Sequence, residues 1–172
     1  GALLTRYPEG LARALEKIPN SSVVIKLRAG PVHENFYREA IDRIFARVPH
    51  TIVQHEPLPE LFAATDAVVS YYSTTVLESL QFNKPTVVYS GEPREEAMTR
   101  YHFTRYEEEG SLLTAYTQDE LEQAFQSLAS DSALRERMAE RAKNVLTQLH
   151  AFDGRASERI IELVRRLSGR RT

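Results

Sequence analysis

The sequence predicts an α/β fold: a parallel sheet covered by helices on both faces, in three αβα layers. Two observations carry this expectation. Short β-branched runs alternate with amphipathic segments, the pattern of strand–helix–strand units. Candidate ligand-binding groups also recur directly after those runs: Arg28, His55, the turn Tyr71–Thr75 and the loop at Gly91. An open parallel sheet binds ligands at the carboxyl ends of its strands, so this co-location points to a single binding site on a doubly wound half.

The elements follow in order. "YPEGLARALEKIP" places Leu11, Leu15 and Ile18 at helical spacing, and Pro19 ends the helix. "SSVVIKLRAG" predicts a strand over Val23–Leu27, closed by Gly30 and Pro31. "ENFYREAIDRIFARVP" sets Phe36, Ala40, Ile41, Ile44, Phe45 and Val48 along one helical face. "TIVQHE" is a short strand, and "LPELFAAT" a short helix after Pro59. Strands over Ala67–Ser70 and Thr86–Tyr89 then flank a helix of about two turns. Between Glu92 and Gly110 the pattern dissolves into a charged loop dotted with aromatic residues. "SLLTAYT" predicts a last strand, and three helices follow from Gln118, with Asp131 and Ser157 as candidate N-caps.

Composition sets the bounds. The chain has 172 residues, 42% hydrophobic and 27% charged, with a net charge of −2. That suits one soluble domain and argues against a general nucleic-acid binder, which needs a basic surface to neutralise phosphates. With no cysteine there is no disulfide framework and no thiolate metal site. No apolar run reaches the roughly 20 residues that span a bilayer, and no signal-peptide pattern opens the chain. A cytoplasmic protein is the expectation.

The turn before the two-turn helix admits two readings. Thr75 and Glu78 have the spacing of a capping box, in which the hydroxyl accepts from the Glu78 amide and the carboxylate answers; such a cap contributes roughly 0.5–2 kcal/mol and needs no ligand. Alternatively, Ser73, Thr74, Thr75 and the helix amides suit a phosphate, leaving Glu78 to accept hydrogen bonds from a ribose diol. The readings compete for Glu78.

"LPELFAATDAVVSYYSTTVLESLQFNKPTVVY" resembles the nucleotide-binding segment in the C-terminal half of GT-B glycosyltransferases, and the resemblance extends from about Tyr7 to Ala129. It implies a Rossmann-like domain over residues 1–172, with C-terminal helices over 131–172 packing on it. It also implies that Ser73, Thr74 and Thr75 bind the donor's diphosphate and that Glu78 binds its ribose. Within that superfamily the chain is most similar to the CDP-glycerol glycerophosphotransferases and related surface-polysaccharide transferases. A nucleotide-sugar or CDP-polyol donor would be a substrate, with no separate cofactor. UDP-N-acetylglucosamine 2-epimerases share the half-fold and remain an alternative, as does a non-catalytic nucleotide-binding or partner-docking module. Two departures stand out. Arg28-Ala29 replaces the family's His-Pro, which leaves the catalytic residues unassigned. The family's first glycine-rich strand and its N-terminal domain have no counterpart in these residues, so the chain reads as part of a two-domain enzyme.

Other candidates weigh less. Arg28 at a strand end is a fork-shaped phosphate partner or a surface ion-pair residue. His55 lies where the superfamily's base-binding loop falls. Lys26 needs only to reach solvent, and His33 reads as an early-helix residue. Tyr101, His102, Phe103 and Tyr106 either line an acceptor groove or, more simply, pin a loop by burial. No histidine pair has metal-ligand spacing. "RRLSGRR" suits a solvated helix end, with peripheral contact to anionic lipid as the alternative.

Overall fold

A computed structural model describes residues 3–28, 34–98, 103–150 and 153–169. Gly30, Pro31, His33, Tyr101, His102 and the side chain of Phe36 lie outside the described part, as do Arg170 and Arg171. The element order is α1 (Leu3–Leu15), β1 (Val23–Lys26), α2 (Glu34–Ile44), β2 (His50–Val53), α3 (Leu58–Ala64), β3 (Val68–Ser70) and α4 (Thr75–Gln81). It continues with β4 (Thr86–Tyr89), α5 (Arg94–Met98), α6 (Thr104–Glu108), β5 (Leu113–Ala115), α7 (Gln118–Ser130), α8 (Ser132–Leu149) and α9 (Ala156–Ser168).

Strand β4 organises the layers. It pairs in parallel with β3 on one side and β5 on the other, and all four of its residues are buried. Side chains alternate across a strand, so Val87 and Tyr89 enter one core while Val88 enters the other. The first core joins β4 to α1, α2 and α7 through Leu11, Ala14, Phe45, Leu121 and Phe125. The second joins it to α4, α6 and α8 through Val76, Leu80, Tyr106, Val145 and Leu146. The result is the Rossmann-like αβα sandwich the sequence predicts.

The sheet, however, is interrupted. β1 and β2 form one parallel ladder and β3–β4–β5 another. The Val23 and Leu27 amides donate to Pro49 and Val53 of the β2 side, at 2.9 and 2.8 Å, so the intervening Val24 and Lys26 amides point to the opposite edge of β1. The Val68 amide donates to Pro85 O at 2.9 Å, so Val69 points away from β4 in the same way. Val23, Ile25, Val68 and Val69 are apolar yet only part-buried, the burial of edges rather than of interior strands.

The link from α4 to β4 is a well-formed helix stop. Asn83 adopts φ 55°. Its amide donates to Leu80 O at 3.0 Å, and that of Lys84 donates to Ser79 O at 3.0 Å, the pairing of a Schellman motif. The Lys84 ammonium reaches Thr65 O at 2.8 Å, and Pro85 then leads into β4. Thus "FNKP" does structural work here. Gly10 fixes the seat of α1 on the sheet: a Cβ there would lie 2.5 Å from the Tyr89 hydroxyl and 2.8 Å from Gln118 Oε1.

Three expectations change. The segment from Glu92 to Gly110 contains α5 and α6, each too short to show a helical period. Phe103 and Tyr106 are buried in the second core, with the Tyr106 hydroxyl 2.5 Å from His150 Nε2, so they pin the segment. Asp131 does cap α8, accepting from the Leu134 amide at 2.8 Å, but Ser157 lies inside α9 and caps nothing. Asp153 closes that turn instead, accepting from the Arg155 amide at 3.0 Å and gripping the Arg159 guanidinium at 2.8 Å. Of the C-terminal helices, α8 packs on the domain through Met138, Ala142, Val145 and Leu146, whereas α9 buries no residue.

His50 closes the α2–β2 connection, with Nε2 2.9 Å from Asp42 and Nδ1 3.0 Å from Val48 O. The Asp42 hydrogen bond, aided by that carbonyl, holds the His50 pKa above its ordinary value. A raised folded pKa contributes stability that is full below the unfolded value and lost as pH rises through the folded one. The stability advantage of the wild type over Asp42→Asn should therefore shrink between about pH 6 and about pH 8, across the histidine range. Denaturant melts at several pH values check this, and a constant difference would show that the pair does not titrate in the fold.

Candidate functional site

The turn between β3 and α4 is built from the inside by its own hydroxyls. Ser70 Oγ donates to Tyr71 O at 2.9 Å. Ser73 Oγ accepts from the Thr75 amide at 3.2 Å and donates to Thr75 Oγ1 at 3.0 Å. The Val76 and Leu77 amides are taken up by Ser73 O and Thr74 O at 3.1 and 2.9 Å. The helix therefore offers fewer open amides than its sequence suggests. What faces outward is Thr74, which is exposed and whose hydroxyl makes no hydrogen bond among the described residues.

The capping box expected between Thr75 and Glu78 does not form. Thr74 occupies the N-cap position with helical angles, φ −59° and ψ −20°, and makes no side-chain cap. Thr75 is consequently already inside the helix, too late to cap it. Among the described residues no hydrogen bond or ion pair engages the Glu78 carboxylate, which stands half-buried in the first turn of α4. The contrast lies within the same chain. Thr117, with φ −114° and ψ 166°, forms a complete capping box with Glu120 at the head of α7.

Aromatic rings and one buried acid support the turn. Tyr7 of α1 stacks on Tyr89 at 5.4 Å and meets Tyr71 edge-on at 6.3 Å. The Tyr71 and Tyr72 rings are 4.4 Å apart. The Tyr71 hydroxyl donates to the carboxylate of buried Glu92 at 3.3 Å, tying the ends of β3 and β4 together. Burial, followed by the neighbouring Tyr71, pushes the Tyr72 phenol up to about 12. Arg94 covers the Tyr116 ring at 5.2 Å. In the sequence this group is signalled only by the doubled tyrosine and the acid after Gly91.

Arg28 and His55 sit on the other ladder, both exposed and each just beyond the end of its strand. Gln54 fastens this end: its side-chain amide donates to Arg28 O at 3.3 Å. Lys26 does not simply reach solvent. Its ammonium donates to Leu27 O at 3.1 Å and Gln54 O at 2.6 Å, binding carbonyls that the ladder leaves open at the ends of β1 and β2. Glu56 accepts from the Gln54 and His55 amides at 2.9 and 3.0 Å. Its own amide, those two amides and the Lys26 charge hold the Glu56 carboxyl below the usual range. Among the described residues, no hydrogen bond or ion pair links Arg28 or His55 to the turn at 71–78.

Among the described residues, no group of three or more His, Asp or Glu side chains is placed to hold a metal ion. A groove of about 870 Å³, lined by Leu80, Lys143, Leu146 and His150 among others, contains none of the candidate residues. The chemistry at the turn is thus that of an exposed hydroxyl and an unengaged carboxylate on a rigid sheet edge, suited to holding phosphoryl oxygens and a diol.

No curated protein sequence matches this chain. A family model does, and the match covers most of it. Residues 12–166 fit the family described as CDP-Glycerol:Poly(glycerophosphate) glycerophosphotransferase, and the chain belongs to that transferase family.

Proposed function

We propose that the chain is the donor-nucleotide half of a two-domain GT-B-type enzyme. It would transfer a polyol phosphate or sugar from a nucleotide-activated donor, CDP-glycerol foremost, to a growing surface polymer. The observation that carries this reading is the unengaged Glu78 carboxylate, one helical turn behind an outward-facing threonine. The interrupted sheet leaves a place within this half, between the open edges of β1 and β3, for one more parallel strand. Such a strand would precede α1 and complete the doubly wound order.

Thr74, Thr75 and Arg28 would hold the donor's phosphates, and Glu78 its ribose. With a CDP-polyol, the acceptor oxygen bonds the distal phosphorus, the bridging P–O bond breaks and CMP leaves. With a nucleotide sugar, the nucleoside diphosphate leaves. Either way negative charge grows on the leaving phosphate, where fixed donors lower the barrier. The acceptor's proton needs a base that this half does not identify, so the isolated chain is expected to bind donor nucleotides weakly and turn over nothing. A millimolar dissociation constant corresponds to about −4 kcal/mol. Calorimetry with CDP, UDP and GDP tests the reading, and silence with all three would overturn it.

Thr74 and Ser73 should separate function from structure. Thr74→Ala should weaken CDP binding and change stability by less than about 0.5 kcal/mol, because the residue is exposed. Ser73→Ala, which removes the bond to the Thr75 amide, should cost about 1 kcal/mol of stability. Equal stability losses would show that both hydroxyls only support the turn.

Arg28→Ala is expected to lower CDP affinity with stability again within about 0.5 kcal/mol. A large stability loss with unchanged binding would remove Arg28 from the site.

Glu78→Gln is the sharpest test. With no cap to lose, the variant should melt like the wild type. It should bind CDP several-fold more weakly, since a charge-assisted hydrogen bond is roughly twice as strong as a neutral one. Inorganic pyrophosphate should be less affected. Equal weakening of both ligands would place the effect at the helix end, not at a ribose.

A further inference from the structure

The carboxyl ends of β3, β4 and β5 form a row, and the ladder registers order it. Ser70 pairs with Val88, and Tyr89 with Ala115. Carried two residues on, the first register sets Tyr72 of the turn beside Ser90, and the two are joined by a side-chain hydrogen bond. Carried one residue on, the second sets Ser90 beside Tyr116, and the Ser90 amide donates to Ala115 O at 3.0 Å. Tyr72 and Tyr116 are thus two strand spacings apart, about 10 Å along the backbone row. Their rings are near enough that Tyr116 joins burial and Tyr71 in pushing the Tyr72 phenol up.

A single cation stands on this row. Residues 71–78, 90–96 and 116–117 contain one Lys or Arg between them, Arg94. It is exposed, and its guanidinium lies over the Tyr116 ring, 5.2 Å from the centroid. Among the described residues it makes no hydrogen bond or ion pair. A ring face anchors a guanidinium without consuming its N–H donors, which remain in a fixed fork for an anion. The nearby acids are committed elsewhere. Buried Glu92 takes the Tyr71 hydroxyl, and Glu120 takes the Tyr116 and Thr117 amides at 2.7 and 2.9 Å. Glu92, Glu95 and Glu96 share the segment with Arg94, so without it this side of the edge would carry only negative charge and repel a phosphate.

We infer that Arg94 is a further phosphate-binding residue of the turn between β3 and α4, its fork taking phosphoryl oxygens of the ligand that Thr74 faces and Tyr116 serving as its anchor. The inference rests on the donor-site reading above. It adds to Arg28, on the other ladder, a cation on the turn's own ladder. The contact is to phosphate and not to base or sugar, so Arg94 and Glu78 divide the ligand between them: one senses the diphosphate, the other the ribose.

NMR titration of the 172-residue chain with CDP and with inorganic pyrophosphate tests this. Both ligands should shift the Arg94 Nε–H resonance together with the Thr74 and Thr75 amides. Arg94→Ala should weaken CDP and pyrophosphate alike, by about tenfold, as loss of hydrogen bonds to a charged group requires. The melting temperature should not change, since the side chain is exposed. Arg94→Lys keeps the charge but loses the fork, and should recover only part of the affinity. The advantage of the wild type over Arg94→Ala should shrink as salt rises from about 0.1 to about 0.5 M. Equal binding by wild type and Arg94→Ala overturns the role of Arg94 while leaving the donor site in place. A loss for CDP alone, the pattern expected of Glu78→Gln, also overturns it, because Arg94 would then act at the nucleoside. Silence of the wild type with both ligands overturns the donor-site reading and this inference together.

Discussion

Everything in this molecule depends on β4 being buried on both faces and paired on both edges. A strand in that position has to supply apolar side chains in both directions, and Thr86, Val87, Val88 and Tyr89 do so with one concession. Thr86 keeps its hydroxyl by donating to Lys84 O, and Ser79 Oγ lies 2.8 Å from it. That polar contact locks α4 to the strand it precedes. The turn at the head of α4 is therefore held at a fixed height above the sheet. Its hydroxyls can be organised by each other without the help of a bound ligand.

Much of this was legible in the sequence, for local reasons. The β-branched runs marked β1 to β4, and residues such as Leu11, Ile41 and Phe45 marked helical faces that are buried in the first core. What escaped was either too short or too distant. Helices α5 and α6 span five residues each, less than two turns, so no periodicity exists to read. The gap between β1 and β3 depends on strand pairing, which is non-local. Strand alternation sends Lys26 to solvent, whereas its ammonium answers to the carbonyls at the strand's end.

The site shows the same limit more sharply. Thr75–Glu78 and Thr117–Glu120 have identical spacing, so a pattern rule treats them alike. The backbone distinguishes them. Thr117 enters its helix from an extended conformation, which swings its hydroxyl over the first turn. At α4 the chain is already helical by Thr74, and the hydroxyl that caps is displaced by one supplied from Ser73. One dihedral angle at the entrance thus decides whether a glutamate is consumed internally or left available. Only the three-dimensional path of the turn reveals that, and the supporting ring of Tyr7, Tyr71 and Tyr72 escapes the sequence for the same reason.

Gly10 has a reach beyond its own contacts. Because the absence of a methyl group sets how deeply α1 sits on Tyr89, this glycine acts as a spacer of fixed thickness between helix and sheet. Tyr7 lies on the same helix, about one turn earlier, and its ring meets both Tyr89 and Tyr71. The depth of α1 is therefore also the calibration of the turn, transmitted through a stack of phenol rings. A methyl group at Gly10 would have to displace the Tyr89 hydroxyl and the Gln118 side-chain amide, and Tyr7, stacked on Tyr89, would pass that shift to Tyr71. The turn between β3 and α4 would be detuned from a position outside it.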